Sequence, residues 1–412
     1  MGFLQKYNYF WNLFISDRKG LDTPVLIYLR GELGHGSVMK VYNGIGPIII
    51  GPGKKLISNP ASITKNFHLL AIDFPCNIGF TNDTNFRCPP LPANPRGGLP
   101  GFKELADSIA SSLQDFYNYK NPNCNLNQML QLNHFLWSES FASPMTFYMA
   151  TSLKNYIKSI KIKGILLGDP MIDLLRQNQN FASYGLMRSV GSSDTYRFNL
   201  QQETIIQMIG NKATSSTFCK FYQGLFAKFD LTSICPYDLQ TPCTPLQGYA
   251  NSNSSCEMFY NEPSETDQDN PILKVLMDKM KILKYNVNTT AVLNDTQPNS
   301  LNIFYDDVST DFANTVNSLP LLIYQSQHNW VANSIALMLF ADGLRWSGYD
   351  NYVQTDTKYF VVDNNNKQMR YTMRAYGNYY KAQIFGVGGL YTYRTSPYIL
   401  RDHIFQQFCY GR

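Results

Sequence analysis

The sequence predicts an α/β fold: a doubly wound, mostly parallel sheet with helices between its strands. Short apolar runs rich in β-branched residues recur along the chain, and helix-competent stretches alternate with them. The 412 residues are 14% aromatic and only 16% charged. Roughly 25% charge is usual, so the chain has ample material for a large core.

The elements follow in order. Pro24 to Leu29 is an apolar run bounded by Pro24 and Gly31 and reads as a buried strand. The loop Arg30 to Ser37 carries three glycines. A second strand, His68 to Asp73, ends in Phe74-Pro75-Cys76-Asn77-Ile78-Gly79-Phe80. Lys103 to about Tyr119 reads as a helix. Leu132 to Trp137 is a third strand and runs straight into Ser138-Glu139-Ser140-Phe141-Ala142. An amphipathic helix from Ser143 to about Ile160 follows. Ile165 to Leu167, Leu321 to Tyr324 and Ala382 to Phe385 read as three further strands, with Pro320 heading the second of them. Between about 174 and 300 the alternation fails. The expected organisation is therefore a core in two parts, 1–173 and 301–412, with an inserted cap over 174–300.

Composition excludes several classes. Such a chain cannot be disordered throughout. There is no heptad run and no fixed-period repeat. A net charge of +5, from 35 basic and 30 acidic residues without a basic run, argues against nucleic acid. No stretch reaches the ~18 apolar residues of a membrane span. No cysteine lies in a CxxC, and neither a metal site nor a cofactor is expected. Four of the eight cysteines crowd between 219 and 256, and N-x-S/T triplets start at Asn82, Asn253, Asn288 and Asn294. Together they favour the secretory pathway, an extracellular or cell-surface location, disulfides and N-glycans. Met1 to Asn12 has no signal-peptide pattern, so the chain is expected to begin inside the mature protein.

At its loops the sequence resembles the serine carboxypeptidase family, of α/β-hydrolase fold. The family's N-G-G-P-G-C-S-S lines up with Arg30 to Ser37, and its D-S-P-A-G-V-G-F-S with Asp73 to Thr81. Its nucleophile elbow G-E-S-Y-A-G lines up with Ser138 to Ser143. Its K-G-x-x-x-G-N-G-x-x-D lines up with Lys163 to Asp173. Leu344 to Gly348 and Ala375 to Asn378 are further landmarks.

The resemblance puts the catalytic serine at Ser140. The family's acid falls on Asn329, in Tyr324-Gln325-Ser326-Gln327-His328-Asn329-Trp330-Val331. Its histidine falls on Gly389, in Gly386-Val387-Gly388-Gly389-Leu390-Tyr391-Thr392. An amide cannot stabilise an imidazolium, and in a serine protease of another fold that change costs about 10⁴ in rate. Glycine cannot take a proton from the serine hydroxyl, which is a poor nucleophile when neutral. The backbone oxyanion donors fall on Glu32 and Phe141. The pair that grips the substrate's terminal carboxylate falls on Arg30 and Glu139, where an Arg30–Glu139 ion pair of about 4 Å or less is expected to fill the old subsite. The resemblance also suggests Cys243–Cys256 and Cys219–Cys235 disulfides.

The expected function is a pseudoenzyme: a non-catalytic serine-carboxypeptidase-like protein with a structural or binding role. Protein partners in a larger assembly, or a homo-oligomer, are implied. One alternative is an active carboxypeptidase or acyltransferase with a rewired base, for which His328 and His35 are the loop histidines. Another is a ligand-binding protein that uses the old cleft.

Overall fold

Ten strands make one sheet in the computed structural model, which describes residues 1–4, 9–18, 20, 22–30, 36–50, 55–74, 78–81, 102–119, 125–172, 177, 234–235, 238–242, 271–280, 308–329, 332–364, 367–387 and 398–411. In chain order the strands are β1 (Gly2–Leu4), β2 (Tyr9–Phe14), β3 (Val25–Leu29), β4 (Ile48–Ile50), β5 (Leu56–Ser58), β6 (His68–Ile72), β7 (Asn133–Glu139), β8 (Lys161–Gly168), β9 (Ile234–Cys235), β10 (Asp238–Pro242), β11 (Leu321–Ser326), β12 (Lys358–Asn364), β13 (Lys367–Tyr376) and β14 (Tyr379–Ile384). The large sheet runs β1-β2-β6-β3-β7-β8-β11-β14-β13-β12, while β4 with β5 and β9 with β10 form separate pairs.

The six central strands, β6 to β14 in that order, are parallel; two antiparallel strands flank them on each side. Side chains alternate between two apolar layers. Ile27, Leu136, Ile165, Leu167, Leu321 and Ile323 pack with the helices Phe102–Asn118, Ser143–Tyr156 and Ser309–Ser318. Leu26, Tyr28, Trp137, Leu166, Leu322 and Tyr324 face the opposite layer, which holds Phe405 of the helix Phe405–Tyr410 and Ile272, Leu273 and Leu276 of the helix Pro271–Met280. Both faces are covered, so these strands read as continuous apolar runs rather than as alternation.

All six expected strands are present, and the α/β class is as expected. Strand β8 begins four residues before the apolar run at 165 and β7 continues to Glu139. The helix from Ser143 ends at Tyr156, earlier than expected, because Ile157 takes an extended ψ of 84° and, with Ile160 and Ile162, turns its side chain into the core. Strands β1, β2, β12 and β13 escaped the reading. The antiparallel edge β12–β13 mixes charged and apolar residues, which hides it from a search for apolar runs.

Among the described residues every strand of the ten-stranded sheet comes from 2–168 or 321–384. Of the expected cap, the described residues give β9, β10 and the helix Pro271–Met280; the rest lies outside them. His134 and His68 are structural. His134 is buried between the Tyr117 hydroxyl and the Leu132 carbonyl oxygen, and burial pushes its pKa down to about 4. His68 Nδ1 accepts the Ser16 N–H, and burial lowers its pKa too. Among the described residues no helix is long and apolar enough to cross a membrane.

Candidate active site

Five adjacent central strands end in polar residues on one rim of the sheet: Asp73 after β6, Arg30 after β3, Ser140 after β7, Asp169 after β8, and Ser326 at the end of β11, three residues before Asn329. Parallel strands bring all their C-terminal ends to the same rim, so residues far apart in sequence converge there.

Ser140 occupies a sharp strand-to-helix turn. Its φ is 49°, and Asp169 on the neighbouring strand end has φ 40°; these are the two non-glycine residues of positive φ among the described residues. Glu139 pairs with Gly168 in the β7–β8 register, so the two strained residues directly follow one paired rung. The Met171 N–H donates to the Ser140 carbonyl at 3.1 Å and ties the turns together. Strain of this kind persists only where the surroundings over-determine it, and a turn of this shape exposes a serine above an α/β sheet. Ser138 stands where the family elbow has glycine. It is fully buried, and its hydroxyl accepts a 2.7 Å hydrogen bond from Thr146. Phe141 packs against Met171 and Ala332. Among the described residues no side chain hydrogen-bonds the Ser140 hydroxyl.

Asp169 is the hub on one side of Ser140. Its carboxylate accepts the Ser326 N–H at 2.7 Å and the Ser326 hydroxyl at 2.6 Å. The Asn329 amide lies close enough to favour its ionised form, yet burial dominates and the pKa rises to about 6. Asn329 is itself buried, and its Oδ1 accepts the Ala332 N–H at 3.0 Å. The residue at the family's acid position therefore turns its amide towards the carboxylate that has replaced the family's asparagine at 169. The acid loop also meets the strand that leads to the base position: Gln327 N–H donates to Ile384 O, and His328 N–H to Val387 O.

Asp73 plays the matching part on the other side. Its two oxygens accept the Val38 N–H at 2.8 Å and the Phe80 N–H at 3.0 Å, pinning the loops before and after β6 together. Burial raises its pKa to about 7, against the pull of those N–H groups and of the Arg30 charge. A Cβ on Gly79, whose φ is +64°, would come 2.2 Å from Asp73 Oδ2. Only glycine admits the carboxylate there.

Glu139 lies beneath the rim among aromatic side chains. The Tyr28 hydroxyl donates to it at 2.8 Å and the Tyr324 hydroxyl at 3.5 Å. Trp137 Nε1 donates to Tyr324 Oη at 2.8 Å. Burial, with the Glu139 charge next, drives the Tyr324 pKa far above its ordinary value, so the phenol stays a donor. Gly168 makes this possible: a Cβ there would sit 2.3 Å from Tyr324 Oη. Arg30 is buried, and its backbone N–H donates to Ser37 Oγ at 3.0 Å. Two phenols reach Glu139, and the Arg30 charge acts on Asp73.

Ser140, Glu139, Arg30 and Asn329, to which the resemblance gives site roles, stand at or just beyond the C-terminal ends of β7, β3 and β11. Sequence reasoning passed over Asp73, Asp169, Tyr28 and Tyr324. The signal for the first two was available, since both stand in the loops that carry the resemblance. Glu32, Gly389, Cys219, Cys243, Cys256, Asn82, Asn253, Asn288 and Asn294 lie outside the described residues. Of the Cys219–Cys235 pair only Cys235 is described, in β9. Cys409 is a free thiol.

The serine carboxypeptidase family profile matches residues 3–401. The chain belongs to the serine carboxypeptidase family. Among its relatives, "Carboxypeptidase Y homolog A" of Trichophyton rubrum is 21% identical over 403 residues, covering 93% of this chain and 69% of that one. The protein of the same name from Talaromyces stipitatus is 22% identical, covering 94% and 68%. A prohormone-processing carboxypeptidase from Saccharomyces cerevisiae shares the fold, with a TM-score of 0.75 and 14% identity over 98% of this chain and 86% of that one. The family resemblance seen at the loops thus extends over the whole chain, and the α/β-hydrolase fold with it.

Proposed function

We propose that this member of the family is non-catalytic and serves a structural or binding role in an assembly of the secretory pathway or cell surface. The observation that carries the reading is Asn329. A carboxylate is needed at that position to orient a histidine and stabilise its charged form. Here an amide stands there, buried and turned to Asp169 and Ala332. The family's histidine position is Gly389, which has no proton acceptor. In a serine protease of another fold, loss of the histidine alone costs about as much as loss of the whole triad, on the order of 10⁶ in turnover. The retained elbow at Ser140 and the buried Glu139 cluster are then parts of a rigid scaffold, held by the Met171–Ser140 and tyrosine–Glu139 hydrogen bonds.

A serine-reactive fluorophosphonate probe tests this. The purified protein should remain unlabelled at Ser140 under conditions that label an active serine carboxypeptidase stoichiometrically. Stoichiometric labelling that Ser140→Ala removes would establish a rewired base and a working hydrolase or acyltransferase.

A further inference from the structure

The two edges of the ten-stranded sheet are built differently. At one edge β1 has three residues, too few to template another strand. At the other, β12 has seven, and all seven pair with β13 without a register shift, from Lys358↔Met373 to Asn364↔Lys367. Natural edges are guarded by proline, bulges or inward-pointing charges. Strand β12 has no proline and no bulge, and its three central residues are Phe360, Val361 and Val362. Tyr359 is 55% exposed and Val361 48%. Among the described residues no strand lies on the outer side of β12.

We infer that β12 pairs antiparallel with β12 of a second copy of this chain, about a two-fold axis at Val361, joining two sheets into one. The surface gives substance to the scaffold role proposed above, yet stands or fails independently of it. The sequence of β12 is what selects a second copy over a foreign strand. An antiparallel pair keeps opposed residues on the same face, so a two-fold axis normal to the sheet must pass through one residue position. Centred on Val361, the pairing opposes Phe360 to Val362 of the other copy twice, and Val361 to itself. Tyr359 then faces Asp363, where a phenol O–H can donate to a carboxylate. Lys358 faces Asn364. No like charges are opposed, aromatic meets β-branched, and the observed bounds of β12, 358 to 364, are symmetric about 361. Phe360 and Val362 already rest on the apolar layer of their own subunit, and the Phe360 ring stacks on Tyr371 at 4.6 Å. The edge is therefore presented in order, with no folding cost on association.

Sedimentation and light scattering over the micromolar range test the pairing on the full chain. The wild type is expected to be a dimer. Val361→Lys sets two ammonium groups against each other at the axis and should give a folded monomer whose melting temperature, unlike the wild type's, does not rise with protein concentration. Val361→Cys should yield a disulfide-linked dimer on mild oxidation, above the background of the wild-type cysteines. Tyr359→Cys should not, because its two copies lie four residues out of register. A monomeric wild type, which would leave the edge to a strand of another protein, overturns the inference. So does a dimer that survives Val361→Lys, or cross-linking through 359 rather than 361.

Discussion

Restoring the family's acid alone should damage this protein. In Asn329→Asp the amide that faces the Asp169 carboxylate becomes a second carboxylate. Asp169 is already committed to the Ser326 N–H at 2.7 Å and the Ser326 hydroxyl at 2.6 Å, so no donor is left over for the newcomer. Two unit charges ~4 Å apart repel by ~4 kcal/mol at an effective dielectric constant of ~20. A lost hydrogen bond to a charged group adds ~1.5–3 kcal/mol. The pair escapes the full sum by keeping one proton. Asp169 titrates at about 6, so at pH 7.5 holding that proton costs ~2 kcal/mol, at ~1.4 kcal/mol per pH unit. The expected loss is therefore ~2–4 kcal/mol at pH 7.5, shrinking towards pH 5, where a proton shared between the carboxyls supplies the missing donor. Asp169→Asn combined with Asn329→Asp recreates one amide and one carboxylate with their places exchanged, and should recover most of the loss. Urea unfolding of the wild type, both single variants and the double at the two pH values measures this as a double-mutant cycle. If Asn329→Asp unfolds at the wild-type midpoint at pH 7.5, or if the double variant is only the sum of the singles, the exchange reasoning is wrong.

Other consequences concern the same rim. Asp73 and Asp169 have folded-state pKa values raised to about 7 and about 6 from 3.8, so their contribution to stability is fully present below the unfolded value and is lost as pH rises through 6 and 7. His134, depressed from 6.5 to about 4, and His68, also lowered by burial, act in the opposite sense, losing stability as pH falls, but between pH 8 and 5.5 the two raised carboxyls outweigh them. Thermal unfolding should therefore show a higher melting temperature at pH 5.5 than at pH 8, and Asp73→Asn should flatten the profile; a profile rising towards pH 8 would contradict both assignments. Gly168→Ala places a Cβ 2.3 Å from Tyr324 Oη in a packed layer, and should cost ~1–3 kcal/mol in denaturant unfolding. Tyr28→Phe removes the shorter of the two phenol bonds to Glu139 and should cost ~1–3 kcal/mol, the penalty of a buried acceptor left short of a donor.

The sequence by itself determined the layout. Largely apolar runs at 24–29, 68–73, 132–137, 165–167, 321–324 and 382–385 are too short for helices and lack strict alternation, so they read as strands covered on both faces. The elbow at Ser140 and the substitutions at Asn329 and Gly389 were legible because loops carry their chemistry in identifiable residues. The antiparallel strands β12 and β13 were not, because their mixed polarity reflects a half-exposed edge and not a local preference. Only the tertiary structure decided the partners. Asp169 and Asn329 are 160 positions apart, and nothing in the sequence pairs them. They meet because β8 and β11 are parallel neighbours, with Gly168 opposite Tyr324, and their C-terminal ends lie side by side. The same geometry delivers Tyr28 and Tyr324 to Glu139 from strands on either side of β7 and β8. Burial, which sequence cannot supply, then raises the Asp73 and Asp169 pKa values to about 7 and about 6 and keeps Tyr324 protonated. Charge type was written in the chain; which charge faces which group, and at what pH it is ionised, was set by the packing of one sheet rim.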